Sequence, residues 1–200
     1  MSFLIKDVPT GKLNALVKKI GGLDVMDGVL DGTVEFSIVA RRRLKLLGEV
    51  SLPRRSKEFD PHEFFRTRDG LWVSDFFRDH VLSVAKKTKA VRAQKGANFQ
   101  LEDHSSDKEI RAEFPENHIF EDASAFCAHL AGMIERQWSG TEGDLISNGY
   151  ANIFYVRGKD NEVFAVDVGW NGVGRRWYVL ASRLDDYRWL AGHRAFSSNC

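Results

Sequence analysis

The chain has 200 residues, of which 43% are hydrophobic and 28% are charged, and its formal net charge at pH 7 is +1. These values are typical of one globular domain, alone or with a small appended piece, and they exclude a mainly disordered chain. No apolar run approaches the ~20 residues that a membrane-spanning helix needs, and the N-terminal residues do not resemble a signal peptide. We therefore expect a cytoplasmic protein that does not contact a membrane.

The two cysteines of the chain, Cys127 and Cys200, do not predict a disulfide framework. Cys127 falls within an apolar stripe of a predicted helix, where a small core residue is the usual interpretation. Cys200 is the last residue, and the sequence leaves its role open. A reducing compartment is the simplest expectation.

The chain divides into three predicted regions. Residues 1–32 predict a helical hairpin appended to the body, because Leu13, Leu16 and Ile20 recur at helical spacing before Gly21 and Gly22. Residues 33–96 predict a basic region of strands and helices, and residues 97–200 predict an α+β core. The alternative is that all three regions belong to one domain.

The basic region predicts two strands followed by two helices. Residues 33–40 and 46–52 have strand composition, and Pro53 ends the second run. Asp60 and Pro61 predict the start of a short helix, because the carboxylate can cap it and proline fits its first position. A longer helix is predicted from Ser74 or Asp75 to the lysines of residues 86–89.

The first half of the core region predicts a hairpin and one long helix. Residues 98–102 and 109–114 alternate apolar and polar side chains, which favours two paired strands. Residues 121–138 carry an apolar stripe at helical spacing, and Gly140 follows the end of the stripe.

Residues 151–182 predict a three-stranded antiparallel meander around which the fold is organised. The apolar runs 153–156, 163–168 and 177–181 are separated by turns rich in residues that accept positive φ. Because a meander cannot bury its faces alone, we expect the helix of residues 121–138 to cover it. Trp189 and Phe196 predict a last segment at the sheet edge. The fold class is therefore α+β, with antiparallel hairpins and a C-terminal three-stranded meander packed against a long amphipathic helix, with additional N-terminal helices.

The charges of the chain are concentrated in two blocks of opposite sign. Residues 41–95 contain 15 basic and 7 acidic side chains, and residues 101–144 contain 3 basic and 11 acidic ones. A cluster of cations on one face can bind the phosphates of a nucleic acid or another polyanion. The candidate cations are Arg41, Arg42, Arg43, Arg54, Arg55, Lys86, Lys87, Lys89, Arg92 and Lys95. The alternative is that the basic block is a solvated surface that pairs with the acidic block.

The acidic block offers a different hypothesis, since a row of carboxylates can imitate nucleic acid towards a basic protein. The ordinary interpretation is charge at helix N-termini and on solvated strand faces. The sequence alone leaves both open.

Asp167 is a candidate polar site because it interrupts an apolar strand of the meander. On a core face it needs a cationic partner such as Arg157, Arg175 or Arg176. On a face that opens to a cleft, it is a candidate general base, with His193 as a neighbour. We favour the structural pairing.

The sequence predicts no metal site and no cofactor, since the six histidines have no ligand spacing with one another or with a cysteine. The leading hypothesis is a non-catalytic cytoplasmic protein that binds a macromolecular partner, protein or nucleic acid, through charged surfaces. The first alternative is a nucleic-acid-binding protein that uses residues 41–95. The second is a small hydrolase or nuclease with a site near Asp167 and His193.

Overall fold

The computed structural model describes residues 10–33, 42–115 and 118–198, and the chain divides into two compact units, Met1–Arg41 and Arg42–Cys200. The described part of the first unit is a helical pair, α1 (Thr10–Ile20) and α2 (Leu23–Leu30), as the sequence predicts. Gly21 and Gly22 join the two helices with φ values of 112° and 105°, which glycine adopts readily. The strand predicted at residues 33–40 lies outside the described residues from position 34 onward.

A seven-stranded mixed sheet forms the centre of the second unit, and a two-stranded sheet accompanies it. The strands are β1 (Leu44–Leu52), β2 (Leu71–Val73), β3 (Gln94–Leu101), β4 (Ser105–Ser106), β5 (Asn152–Arg157), β6 (Val163–Asn171), β7 (Arg176–Arg183), β8 (Arg188–Trp189) and β9 (Arg194–Ser197). The large sheet has the order β1-β3-β9-β5-β6-β7-β2, and β4 pairs with β8. Strands β5, β6 and β7 are consecutive antiparallel neighbours, which confirms the predicted meander. Two pairings are parallel, β5 with β9 and β7 with β2.

Four helices belong to the described part of this unit: α3 (Pro61–Phe64), α4 (Asp75–His80), α5 (Asp107–Glu113) and α6 (Ala123–Arg136). The Asp60 side chain caps α3 and that of Ser74 caps α4, as predicted. The prediction that the second of these helices continues to the lysines is wrong. A short 3-10 turn, Leu82–Val84, follows α4, and Ala85 is extended, because the next residues pair with residues 55–59.

The predicted second hairpin is also wrong, because residues 107–113 form α5. Ser106 and Glu109 make a reciprocal capping box, which stabilises a helix start. Ile110, Ala112 and Phe114 alternate as in a strand, whereas the buried residues Asp107, Ile110 and Phe114 are three and four positions apart, as on one helix face. The capping box was the sequence signal that resolves this ambiguity.

The last strand lies inside the sheet rather than at its edge, so the edge prediction is wrong. Strand β9 runs antiparallel to β3 on one side and parallel to β5 on the other. Ala195 and Phe196 are fully buried because both faces of this strand are covered. Strand β9 thereby joins the meander to β1 and β3.

One face of the sheet packs against α6, as the sequence predicts. Phe154, Val166 and Val179 belong to the same buried cluster as the apolar stripe of α6. At the helix end, Trp177 Nε1 donates a hydrogen bond to the carbonyl of Gln137 at 2.9 Å. Burial of this cluster is the main source of stability for the unit.

The opposite face of the sheet carries a second, smaller core. The carboxylate of Asp107 lies at its centre and is 1% exposed. It accepts hydrogen bonds from Tyr155 Oη at 2.9 Å, Trp189 Nε1 at 2.7 Å and the backbone N–H of Asp185 at 2.7 Å. Tyr178 and Leu180 of β7 are only partly buried on this face, so a cleft remains beside the second core.

No helix among the described residues is both long enough and apolar enough to cross a membrane. Cys127 is fully buried in α6 and has a free thiol, in line with its predicted place in the core. Burial raises the pKa of that thiol well above its ordinary value.

Candidate functional site

Two chain segments pair beyond the ends of β1 and β3 and extend their ladder. Arg55 and Val91 exchange two backbone hydrogen bonds of 2.9 and 2.8 Å, and Phe59 and Thr88 exchange two of 2.9 and 3.0 Å. Val91 and Phe59 are buried, so this side of the paired segments faces the core. The intervening residues therefore present their other side to solvent.

Five exposed basic side chains lie on or next to these segments, and we call them the basic ribbon. Its members are Arg54, Lys57, Lys86, Lys89 and Arg92. All five are exposed, and no side chain among them makes an ion pair or hydrogen bond with another described residue. The register around Arg55 and Val91 places Arg54 beside Arg92, and like charges in that position repel each other. An anion bound there would relieve the repulsion.

The other predicted cations are placed differently. Four of them form ion pairs: Arg43 with Glu109 at 2.9 Å, Arg55 with Glu135 at 2.5 Å, Lys87 with Asp60 at 3.0 Å and Lys95 with Glu49 at 2.8 Å. The Lys87 ammonium is the main cause that lowers the pKa of Asp60. Arg42 is exposed, and Arg41 lies outside the described residues. The described basic block is therefore divided among ion pairs within the fold, the exposed ribbon and further exposed cations such as Arg42.

Most carboxylates of the acidic block hold the fold together. Asp107 is buried, and Asp122 caps α6 through the backbone N–H of Ser124. Glu113 accepts hydrogen bonds from the backbone N–H groups of Arg43 and Leu44. Glu121 binds the guanidinium of Arg157, with Oε2 2.8 Å from Nε. These contacts leave little of the acidic block available to imitate a nucleic acid.

A shallow groove of about 420 Å³ runs between the basic ribbon and α6. Arg54 and Lys57 line one side, and Gly132 and Arg136 line the helix side. A Cβ atom at Gly132 would lie 2.5 Å from Cγ of Pro53, so glycine is what allows the segment after β1 to approach the helix so closely. Two ribbon residues, Arg54 and Lys57, therefore border a concave surface next to α6.

A second candidate site is the cleft on the opposite face of the sheet, which has a volume of about 630 Å³. We call it the Asp167 cleft. Its described lining includes Asp167, Trp170, Asn171, Tyr178, Leu180 and His193, together with Ala151 and three glycines. The structure thus brings together two of the three residues predicted as a polar site, Asp167 and His193.

The carboxylate of Asp167 has no hydrogen-bond or ion-pair partner within the described ranges. Burial alone raises its pKa from the ordinary value of 3.8 to about 6. Strand pairing places Asp167 between Ile153 of β5 and Leu180 of β7. The charge therefore lies on an apolar floor.

His193 is held as a neutral imidazole. Its Nδ1 accepts the backbone N–H of Ala151 at 3.1 Å, so the ring proton is on Nε2. Burial lowers the pKa of His193, which also favours the neutral ring. Tyr150 and Trp189 pack edge-on against the ring and fix its orientation.

The arginines predicted as partners of Asp167 are placed elsewhere. Arg157 binds Glu121, and Arg175 is exposed in the turn between β6 and β7 with a φ of 47°. The guanidinium of Arg176 lies 5.5 Å from the ring centroid of Tyr178. Arg176 pairs with Asn171 in the sheet, four positions along β7 from Leu180, which pairs with Asp167. None of the three forms an ion pair with Asp167 among the described residues.

Sequence reasoning missed the part that Tyr178 and Leu180 play in the cleft. Both were assigned to an apolar strand, although their alternation with Trp177 and Val179 places them on the same face as Asp167. As for metals, the described residues contain no group of three or more His, Cys, Asp or Glu side chains that could hold an ion.

The protein therefore has an α+β fold with a mixed sheet and two candidate surfaces, the basic ribbon and the Asp167 cleft. Comparison with protein-family models, with curated proteins and with solved structures finds no match for this chain. Its function is therefore argued from the two surfaces alone.

Proposed function

We propose that this protein is a non-catalytic binding protein that holds nucleic acid, through its phosphate backbone, on the basic ribbon. The observation that supports this most is the five exposed cations that the fold leaves without a described carboxylate partner. Four other candidate cations, Arg43, Arg55, Lys87 and Lys95, are paired with acids. A polyanion supplies the missing counter-charge and gains affinity by releasing its own counterions.

The chemistry of the ribbon favours nucleic acid over an acidic protein. Protein interfaces usually have an apolar or aromatic centre, whereas the exposed neighbours of the cations are small or polar, such as Ser56, Ala90 and Ala93. The aromatic residue of the paired segments, Phe59, is buried. Without an aromatic platform the ribbon is poorly suited to stack unpaired bases, so backbone contact with a duplex is the expected mode.

A reducing, cytoplasmic compartment is part of this proposal, since Cys127 is a buried free thiol. The hydrolase alternative has less support, although Asp167 and His193 line one cleft. His193 Nδ1 is occupied by the Ala151 N–H, and no described lining residue is a serine, threonine, cysteine or lysine that could act as a nucleophile.

The test is fluorescence anisotropy with a labelled 20-base-pair DNA duplex at low salt. Changing all five ribbon cations to Gln should weaken binding by at least about 100-fold, because several phosphate contacts are lost together. The matched control removes five exposed lysines from elsewhere and has the same net charge. Its substitutions are at Lys12, Lys18, Lys19, Lys108 and Lys159.

The control variant should bind the duplex within a few-fold of the unmodified protein. Equal weakening in both variants would show that net charge, not the ribbon, determines binding. Absence of duplex binding by the unmodified protein would contradict the proposal and would direct the search towards an acidic protein partner.

A further inference from the structure

The Asp167 cleft contains an unusual combination of an unpartnered carboxylate and apolar walls. The Asp167 carboxylate lies between Leu180 and the fully buried Ile153, and burial without a partner costs free energy. Proteins normally pair such a charge, yet none of the described lining residues is an arginine or a lysine. The described lining therefore supplies no positive charge to this carboxylate.

The remaining polar groups of the cleft do not supply that charge. His193 is neutral because Nδ1 accepts the N–H of Ala151, and its Nε2–H is a neutral donor. Asn171 Oδ1 accepts the N–H of Gly174 at 2.7 Å, which leaves the amide NH₂ as a second neutral donor. Arg176, on the same face of β7 as Leu180, lies over the ring of Tyr178.

The walls of the cleft suit the apolar part of a ligand and its charge together. Leu180 offers an aliphatic floor, and Tyr178, on the same face of β7, offers aromatic surface. Aromatic rings attract cations through their negative faces, so these walls and the carboxylate select the same sign of charge. The cleft, at about 630 Å³, is of a size that holds small organic molecules.

We infer that the Asp167 cleft binds an organic cation: a guanidinium or primary ammonium group on a short apolar stem. The charged group hydrogen-bonds the carboxylate of Asp167, and the stem lies on Leu180 beside the ring of Tyr178. His193 and Asn171 are neutral donors at the rim, so their free groups do not compete with Asp167 as acceptors for the charged group. This inference is independent of the basic ribbon, which lies on other residues.

The test uses butylguanidinium as the probe and butylurea, its neutral isostere, as the ligand control. Binding is followed at pH 7.5 by NMR through the backbone N–H of Gly169, a lining residue, which is identified from the spectrum of a Gly169→Ala variant. Butylguanidinium should shift this resonance saturably, and butylurea should not. Equal binding of the two ligands would overturn the inference, because the carboxylate would then not select charge.

Asp167→Asn keeps the shape of the side chain and removes its charge. It should raise the dissociation constant of butylguanidinium by at least about tenfold, the loss expected for a charge-assisted hydrogen bond. The control Asp160→Asn removes an exposed carboxylate outside the cleft and should leave the constant unchanged. Leu180→Lys should also weaken binding at least about tenfold, because a tethered ammonium would occupy the carboxylate. Unchanged binding in either cleft variant would overturn the inference.

Affinity should also depend on pH. The titratable lining groups are Asp167, His193 and Tyr178, with Tyr150 packed on His193 and Arg176 on Tyr178. Because the pKa of Asp167 is about 6, only about a tenth of the carboxyl is ionised at pH 5, and binding there should be about tenfold weaker than at pH 7.5. Equal affinity at the two pH values would contradict a carboxylate ligand.

Discussion

Asp167→Asn should stabilise the free protein at neutral pH, which is the opposite of what a buried ion pair would predict. Burial raises the pKa of this carboxyl from 3.8 to about 6. A carboxyl group whose pKa is higher in the folded state than in the unfolded state binds more protons when folded. The free energy of unfolding therefore falls as pH rises from about 4 to about 6. The amide of asparagine carries no charge, so the free energy of unfolding of the variant does not fall over this pH range.

The size of the effect follows from the same shift. About two pKa units correspond to about 3 kcal/mol in the free energy of unfolding. Because Asp167 is partly solvent-accessible, screening reduces this value, and we expect the variant to be ~1–2 kcal/mol more stable at pH 8. Below about pH 4, both side chains are neutral and the two proteins should have similar stability.

Urea denaturation followed by tryptophan fluorescence, from pH 4 to pH 8, measures this difference directly. Asp160→Asn provides the control, because Asp160 is exposed and its substitution should give no pH-dependent difference. If the unmodified protein were more stable than Asp167→Asn at pH 8, the carboxylate would have a cationic partner in the folded protein. The reasoning about both the pKa and the cleft would then fail.

Two further predictions concern contacts that position the two surfaces. Asp107→Ala should lower the free energy of unfolding by ~3–5 kcal/mol, since two buried donors, Tyr155 Oη and Trp189 Nε1, and the part-buried N–H of Asp185 lose their acceptor. A loss below ~1 kcal/mol in urea denaturation would contradict the role given to Asp107. Gly132→Ala should lower the melting temperature although alanine favours helices, because its Cβ would meet Pro53; Gly11→Ala in α1, where nothing lies within 4 Å, is the control and should not lower it. A melting temperature that rises in Gly132→Ala would show that the close approach of Pro53 is not maintained.

The features predicted correctly from the sequence are those set by local chemistry. Asn171 at the end of β6 and Gly172 directly after it are a strong reversal signal between apolar runs, and the meander follows from it. Helix α6 has a long apolar stripe at intervals of three and four residues, which the two-residue alternation of a strand does not produce. For α5, a run of only seven residues fits both periods, and the capping box of Ser106 and Glu109 resolves it.

The features predicted wrongly or left open depend on long-range pairing. Strand β9 is short, and nothing in its own residues indicates that it inserts between β3 and β5. In the same way, the sequence does not reveal that Glu135 neutralises Arg55 across 80 positions while Arg54 stays exposed. For Asp167, the nearest arginines in sequence were plausible partners, but the strand register separates them from it.

The dependence of duplex binding on salt tests the central claim, that the five ribbon cations bind phosphates, most directly. Each phosphate neutralised on duplex DNA contributes about −0.9 to the slope of log K against log salt concentration, so five contacts predict a slope of about −4.5. Changing the five ribbon cations to Gln should bring the slope close to zero. A steep slope that survives this change would contradict the assignment of the ribbon as the binding surface.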